Sequence, residues 1–447
     1  MKKWNKYHLL ERPVAIAPLV TFRLLFGGLM MAGALRFMGS GWIERLYVEP
    51  QFFFKFYGFE WVEPLGATGM YLVYGLIALS AAMIMLGLLY RLAVVLFFLS
   101  FTYTELIDVT NYLNHYYLVV LLSVLLFFIP ANRRFSLDVR WQFAKRRDFV
   151  PAWTINALIL QVSIVYFLAG FAKLNPDWLF RAMPLAVWLP TKVDLPLIGW
   201  LFQYAWVPFA FSWFGAFYDL TIPFWLLNRR TRPFAYVAVI VFHVLTKLLF
   251  NIGLFPFIMI FNTLIFFPAE LHERWLGLLG YEKSAAPTTP GPVFGLSKFP
   301  LYPALAIYFT IQLLVPFRYL FYPGNVLWTE QGYRFSWRVM LVEKAGQATF
   351  HVIDPITGRR GEVTNSAFLT KYQEKQMAIQ PDLILQYAHY LEEVYQEQYN
   401  IQDPQVTVDS YVALNGRASQ RFIDPQVDLT EIRAGFQHKN WVLPFKR

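Results

Sequence analysis

The chain has 447 residues, of which 57% are hydrophobic, 19% aromatic and only 15% charged, with a net charge of +10 and no cysteine. That balance, with a mean hydropathy of +0.40, excludes an ordinary soluble enzyme and describes a polytopic membrane protein. Without cysteine there are no disulfides, thiolate metal sites, iron–sulfur clusters or cysteine nucleophiles. The positive charge does not point to nucleic acid, because Lys and Arg sit mainly in short loops between apolar runs, where they orient a membrane protein.

In chain order, MKKWNKYHLLERPVAIAP places basic residues before an apolar stretch but lacks a small-residue cleavage pattern, so it reads as a retained first helix. With roughly 20 apolar residues needed per span, spanning helices are predicted over 14–38, 68–88, 92–107, 116–129, 153–172, 201–227, 233–250, 252–267 and 302–316. The basic stretches KKWNK, Arg91, NRRFSLDVRWQFAKRRD, the Arg229–Arg232 run and 269–300 then fall on one side, which is assigned as cytoplasmic. The opposite loops, 39–67, 108–113 and 174–200, carry less charge and are rich in Trp, Phe, Pro and Gly. Residues 284–295, SAAPTTPGPVFG, read as a linker before the last span.

From about residue 321 the chain becomes polar and close to charge-neutral. Alternation in RFSWRVMLVEK (334–344) and QATFHVID (347–354) predicts two strands joined near Ala345 and Gly346. Helices are predicted over 365–379 and 381–399, the second with a proline in its first turn. QVTVDSYVALNGR (405–417) reads as a strand and an Asn-Gly turn. The predicted fold is therefore a polytopic α-helical membrane protein of about nine transmembrane helices spanning 1–320, with a small outer-facing α/β domain over 321–447.

Ionisable residues inside a membrane are costly and mark candidate sites. They gather towards the predicted outer side: Glu105, Asp108, Asn114, His115 and Lys173, with Asp219 and His243 in later spans and Arg23 in the first. Each also has a structural reading. Lys173 can be an interfacial anchor, Asn114 and His115 can satisfy helix-start amides, Asp219 and Arg23 can form a buried pair or bond between helices, and His243 can be a core histidine. On a helix, Tyr166, Ala169, Gly170 and Lys173 share one face. Gly170 would leave a gap beside the amine for a flat ring, and an amine desolvated among Phe171, Leu174 and Trp178 would be a base. HExxH, Walker, dinucleotide and GxSxG signatures are absent, and no His pair has the i, i+4 spacing of a helical metal site, so no metal is expected.

Five ordered segments carry a resemblance: FRLLFGGLM (22–30), MYLVYGLIALSAAMIMLGLLYR (70–91), NHYYL (114–118), IVYFLAGFAKL (164–174) with the following DW, and YPGNVLWTEQGYRFSWRVML (322–341). Together they resemble the vitamin K-dependent gamma-glutamyl carboxylases and their microbial relatives. The resemblance implies vitamin K hydroquinone, O2 and CO2 as co-substrates and no metal. An amine base starts oxygenation of the hydroquinone, the alkoxide formed removes a gamma hydrogen of glutamate, and the carbanion captures CO2 while the quinone leaves as its 2,3-epoxide.

By motif, Lys173 takes the base role, and His115 and Asn114 assist carboxylation or position the substrate. Tyr166, Gly170, His243, Asp108, Asp219 and Arg23 are candidates for holding the quinone. The implied partners are a glutamate-containing peptide or protein and membrane lipid, with no nucleic acid, and homo-oligomerisation stays open. Animal members carry a lumenal disulfide and a longer outer region. The absence of cysteine and the short outer region point to a bacterial inner membrane with site and cap facing the periplasm. Epoxidation without glutamyl carboxylation, a non-catalytic quinone-binding protein and a transporter are the rival readings. Charges confined to one side and the lack of an inverted repeat argue against the transporter.

Overall fold

The structure, a computed structural model, describes residues 8–283 and 298–446. The predicted linker at 284–295 and the basic residues of the first seven positions lie outside the described residues. The membrane part contains α1 (Ala17–Gly39), α2 (Gly66–Leu86), α3 (Tyr90–Ile107), α4 (Asn114–Phe128), α5 (Trp153–Ala172), α6 (Pro176–Arg181), α7 (Val207–Leu227), α8 (Arg232–Leu249), α9 (Phe255–Thr263), α10 (Ala269–Gly277) and α11 (Lys298–Leu314).

Among the described residues six helices are long and apolar enough to cross a membrane: α1, α2, α3, α5, α8 and the segment Leu301–Phe321. A seventh is counted if Phe255–Phe266 and Ala269–Gly277, bent by 115°, form one broken span. Length and hydropathy thus support six or seven of the nine predicted spans among the described residues. At 1.5 Å per residue the 15 residues of α4 reach only about 22 Å, short of a bilayer core of roughly 30 Å. Helix α7 has the length, but Asp219 and Pro223 interrupt its apolar run. Its outer face, with Trp213, Phe217 and Phe224 exposed, nonetheless has the character of a lipid-facing surface.

Two close contacts organise the bundle. A Cβ on Gly27 of α1 would sit 2.5 Å from the backbone nitrogen of Met85 and 2.6 Å from the carbonyl of Ala81, so α1 and α2 touch backbone to backbone, as small residues allow. Arg23, one turn away and fully buried, donates to the carbonyls of Ile84 (3.3 Å), Met85 (2.9 Å) and Phe135 (2.5 Å). It therefore satisfies the orphan carbonyls at the end of α2. Asp138 serves the start of α3, accepting from the amides of Leu89 (2.7 Å) and Tyr90 (3.1 Å).

A short ladder, β1 (Pro13–Ala15) with β2 (Phe149–Pro151), ties the chain's start to the entrance of α5. The cap is a four-stranded antiparallel sheet of β3 (Lys344–Ile353), β4 (Arg360–Glu362), β5 (Gln405–Leu414) and β6 (Gln420–Arg421), in the order β4-β3-β5-β6. Helices α12 (Lys371–Met377) and α13 (Pro381–Tyr399) belong to the same apolar core. Strand β5 alternates as its sequence predicts, burying Val406, Val408, Val412 and Leu414, and Asn415 and Gly416 follow it with positive φ of 48° and 69°.

Three predictions for the cap fail. Ala345 and Gly346 do not join two strands but lie inside β3, which pairs with β5 without interruption from Lys344 to Ile353. Residues 334–341 are not a strand but a run of turns, because Phe335, Trp337 and Met340 adopt φ near +58°, in the left-handed region. Their large apolar side chains turn towards the bundle, where Trp337 is buried and packs 5.2 Å from Tyr117. The helix predicted over 365–379 is confined to α12, since Thr370 caps its start through a capping box with Gln373.

The α1–α2 contact yields a test. Gly27→Leu forces these helices apart, and the expected loss is about 1–3 kcal/mol, read as a lowered midpoint of thermal unfolding in detergent. An unchanged midpoint would refute the backbone contact.

Candidate active site

The end of α5 is where the chemistry gathers. Lys173 follows the last residue of this helix and is 5% exposed. Its Nζ lies 2.6 Å from Oδ2 of Asp219 on α7, which is also 5% exposed, and 5.4 Å from the centroid of the Trp178 ring. Asn175 caps α6 by accepting from the Trp178 amide at 3.0 Å. The indole then donates to the carbonyl of Ser212 at 2.7 Å, and the Ser212 hydroxyl donates back to the carbonyl of Trp178. The surface beneath the amine is thereby held from both sides.

This environment differs from the expected one. Phe171 and Leu174 point outwards, at 40% and 50% exposure, so it is a carboxylate and Trp178 that surround the amine. Gly170 leaves no gap for a ring: a Cβ there would lie 2.5 Å from the backbone nitrogen of Leu220 and 2.9 Å from the carbonyl carbon of Asp219. The glycine lets α7 approach α5, and that approach brings Asp219 to the amine. Nor do Asp219 and Arg23 form a pair; each has other partners.

Beside the pair lies a cavity of about 330 Å³, with apolar walls apart from a few polar groups. Lys173, Asp219, Tyr166 and His243 all line it. His243 Nε2 is 3.0 Å from the Tyr166 hydroxyl, which lies 3.4 Å from Thr263 Oγ1, and Thr263 donates to the Met259 carbonyl at 2.7 Å. Nδ1 of His243 is buried without a hydrogen-bond partner. Either tautomer leaves it open to a ligand: as a donor if Tyr166 gives its hydrogen to Nε2, or as an acceptor if that hydrogen goes to Thr263.

Neither His115 nor Asn114 lines the cavity. The His115 ring packs 5.8 Å from Phe255, whose other contact is His243 at 5.5 Å; one aromatic ring thus separates His115 from the cavity. Its Nε2 is buried and unpartnered. Asn114 Oδ1 accepts from the Tyr112 hydroxyl at 3.0 Å, and that hydroxyl accepts from the Phe335 amide at 2.9 Å, which links Asn114 to the cap.

Asp108 lies at the junction with the cap, where it accepts from Thr110 N (2.8 Å) and Gln373 Nε2 (2.9 Å). Arg23 is at the opposite end of the bundle. The sequence reading did not find Phe255, Val339 or Met340, all of which line the cavity. The last two belong to the turn-rich segment whose alternation reads as a strand.

The cap is latched to the site by Asp177, one residue before the end of the NPDW run. Arg417 makes a two-pronged ion pair with its carboxylate, and Asn415 Nδ2 donates to Oδ2 at 3.0 Å. Burial pushes this carboxyl up, but the bonds from Arg417 and Asn415 outweigh it and hold the group below the usual carboxylate range. Gln373 Nε2 to the Phe52 carbonyl (2.7 Å) and the Tyr372 hydroxyl to the Thr110 carbonyl (3.0 Å) complete the seam.

Fold and cavity define an integral membrane protein in which a buried amine–carboxylate pair and a histidine face an apolar chamber under an α/β cap. Two family models match the chain: the HTTM domain over residues 11–271, and the vitamin K-dependent gamma-carboxylase lumenal domain over residues 298–447. The chain belongs to the vitamin K-dependent gamma-glutamyl carboxylase family. No solved structure matches this one.

The latch predicts a pH dependence. A carboxyl held low in the folded state contributes stability above its unfolded value near 3.9 and loses it as the pH falls through the folded value. Hydrogen exchange in β5 is therefore expected to speed up below about pH 4. Asp177→Asn should lose protection at neutral pH and flatten that dependence; a wild-type profile in the variant would refute the latch.

Proposed function

We propose that the protein is a vitamin K hydroquinone-dependent gamma-glutamyl carboxylase, coupling conversion of the hydroquinone to its 2,3-epoxide with carboxylation of a glutamate side chain by CO2. The observation that carries this reading is the Lys173 amine, buried, paired with Asp219, and placed on the wall of an apolar cavity. The cavity suits a hydroquinone: apolar walls accept the ring, while Lys173 and the open Nδ1 of His243 offer polar partners from two different helices. When bound with O2, the hydroquinone supplies the strong base that a glutamate gamma C–H requires.

The residues then have distinct tasks. Asp219, in hydrogen-bond contact with the ammonium, can take its proton and leave the Lys173 lone pair free to accept one from the quinol hydroxyl. His243, backed by Tyr166 and Thr263, holds a ligand oxygen. Val339 and Met340 cover the cavity on the cap side, and a dry chamber protects a strong base from water. His115, behind Phe255, serves the carboxylation half, and Asn114 ties that region to the cap that receives a glutamate-containing peptide or protein.

The 1–320 bundle and the 321–447 outer domain are taken to lie in a bacterial inner membrane with the cap in the periplasm. Nine membrane-crossing segments, with α4 and α7 among them, are compatible with this orientation. Epoxidation without carboxylation is the second reading, favoured by His115 standing outside the cavity.

Two variants test the proposal in purified, bilayer-embedded protein given reduced vitamin K. Lys173→Ala is expected to lower epoxide formation by about 100-fold or more in protein that keeps its helical circular dichroism at the assay temperature, although unpaired Asp219 lowers the unfolding midpoint; undiminished epoxide refutes the base role. His115→Ala is expected to lose incorporation of labelled bicarbonate into a glutamate peptide while keeping epoxide formation. Equal loss of both would remove the division of labour.

A further inference from the structure

We propose that the cavity opens sideways into the bilayer between α7 and α8, and that this gap passes the prenyl tail of the quinol, so that substrate is loaded from lipid. The proposal rests on the cavity being the quinol site and adds the route by which the ligand reaches it.

The exposure of the lining residues shows where the chamber is open. On the α5 side Val165, Tyr166, Ala169 and Lys173 are buried, and towards the cap Trp178, Leu185 and Leu249 are buried as well. Ala210 and Phe214 of α7 and Val241 of α8 line the same chamber yet are exposed, Phe214 at 55% and Val241 at 59%. A residue that faces both the chamber and the outside marks its mouth. Ala210 and Phe214 are four residues apart, as are Val241 and Leu245, so each pair forms one edge of a slot parallel to the helix axes.

The surroundings of that mouth identify what it opens into. Along α7, Trp213, Phe217 and Phe224 are exposed, and along α8 so are Val237, Val244 and Leu248. A continuous apolar surface of this kind on two membrane helices faces lipid, not water. Farther along the same seam the Tyr218 and Phe242 rings stack at 4.1 Å, which closes the slot towards the 228–231 loop and leaves its open part near the cap.

Size completes the argument. At about 330 Å³ the chamber is at the small end of ligand pockets, enough for a bicyclic head and too small for a long prenyl chain. The tail must leave it, and the apolar mouth lies between α7 and α8.

The test is equilibrium binding of tritiated phylloquinone, which has a tail, and tritiated menadione, which has none, to the full chain in lipid nanodiscs. Val241→Trp fills the mouth from the lipid side. Val244→Trp, on the same exposed face but not lining the cavity, controls for bulk. Val241→Trp is expected to weaken phylloquinone binding by about tenfold or more and to leave menadione binding close to wild type, with Val244→Trp affecting neither.

Ala210→Phe, on the facing edge, should repeat the selective loss. Equal weakening of both quinones, or no change in either, would overturn the lateral mouth while wild-type binding upholds the site. Wild-type protein that binds neither quinone would overturn the quinol site itself, and the route with it.

Discussion

Lys173 and Asp219 meet at 2.6 Å in surroundings where neither charge could remain alone, and much of the structure serves that meeting. An unpaired charge away from water is too costly to persist, so the end of α5 and the middle of α7 must lie against each other. Gly170 permits the approach because any Cβ there would strike the backbone at Asp219 and Leu220. Trp178, fastened to Ser212 by reciprocal hydrogen bonds, then closes the underside. The pair therefore joins the two helices through the same geometry that the proposed proton transfer would use.

The cap is part of this arrangement, not an appended module. The run of turns at 334–341 sends Trp337 into the apolar core of the bundle and brings Val339 and Met340 to the cavity wall. Arg417 and Asn415, at the turn after β5, grip Asp177, whose neighbour Trp178 supports the lysine. The cap is thus joined to the surroundings of the amine through one short helix, α6. The same packing puts cap residues Val339 and Met340 on one wall of the chamber and residues of α7 and α8 on another.

Much of the site was legible in the sequence because rare residues in an apolar background stand out. Lys173, Asp219 and His243 were candidates on that ground and Tyr166 by sharing a helix face with Lys173, and the structure brings these four to one cavity. The role of Gly170 was misread, because a missing side chain signals space in a sequence, while in a packed bundle another backbone fills it. The strand expected at 334–344 was misread over 334–343 for a related reason. Alternating large and polar residues satisfy a pleated sheet, but they equally satisfy a loop that buries every second side chain against a neighbouring domain.

What the sequence by itself determined is what depends on local composition and period: a membrane class, most helix positions, the alternation of β5 and the side on which ionisable residues collect. The tertiary structure alone decided which of those residues meet. Lys173 and Asp219 are 46 positions apart, Asp177 and Arg417 are 240 apart, and no local periodicity relates them. Their pairing arises from helix approach and cap docking, where close packing and the cost of an unpartnered polar group act over distances in space that a linear pattern does not record.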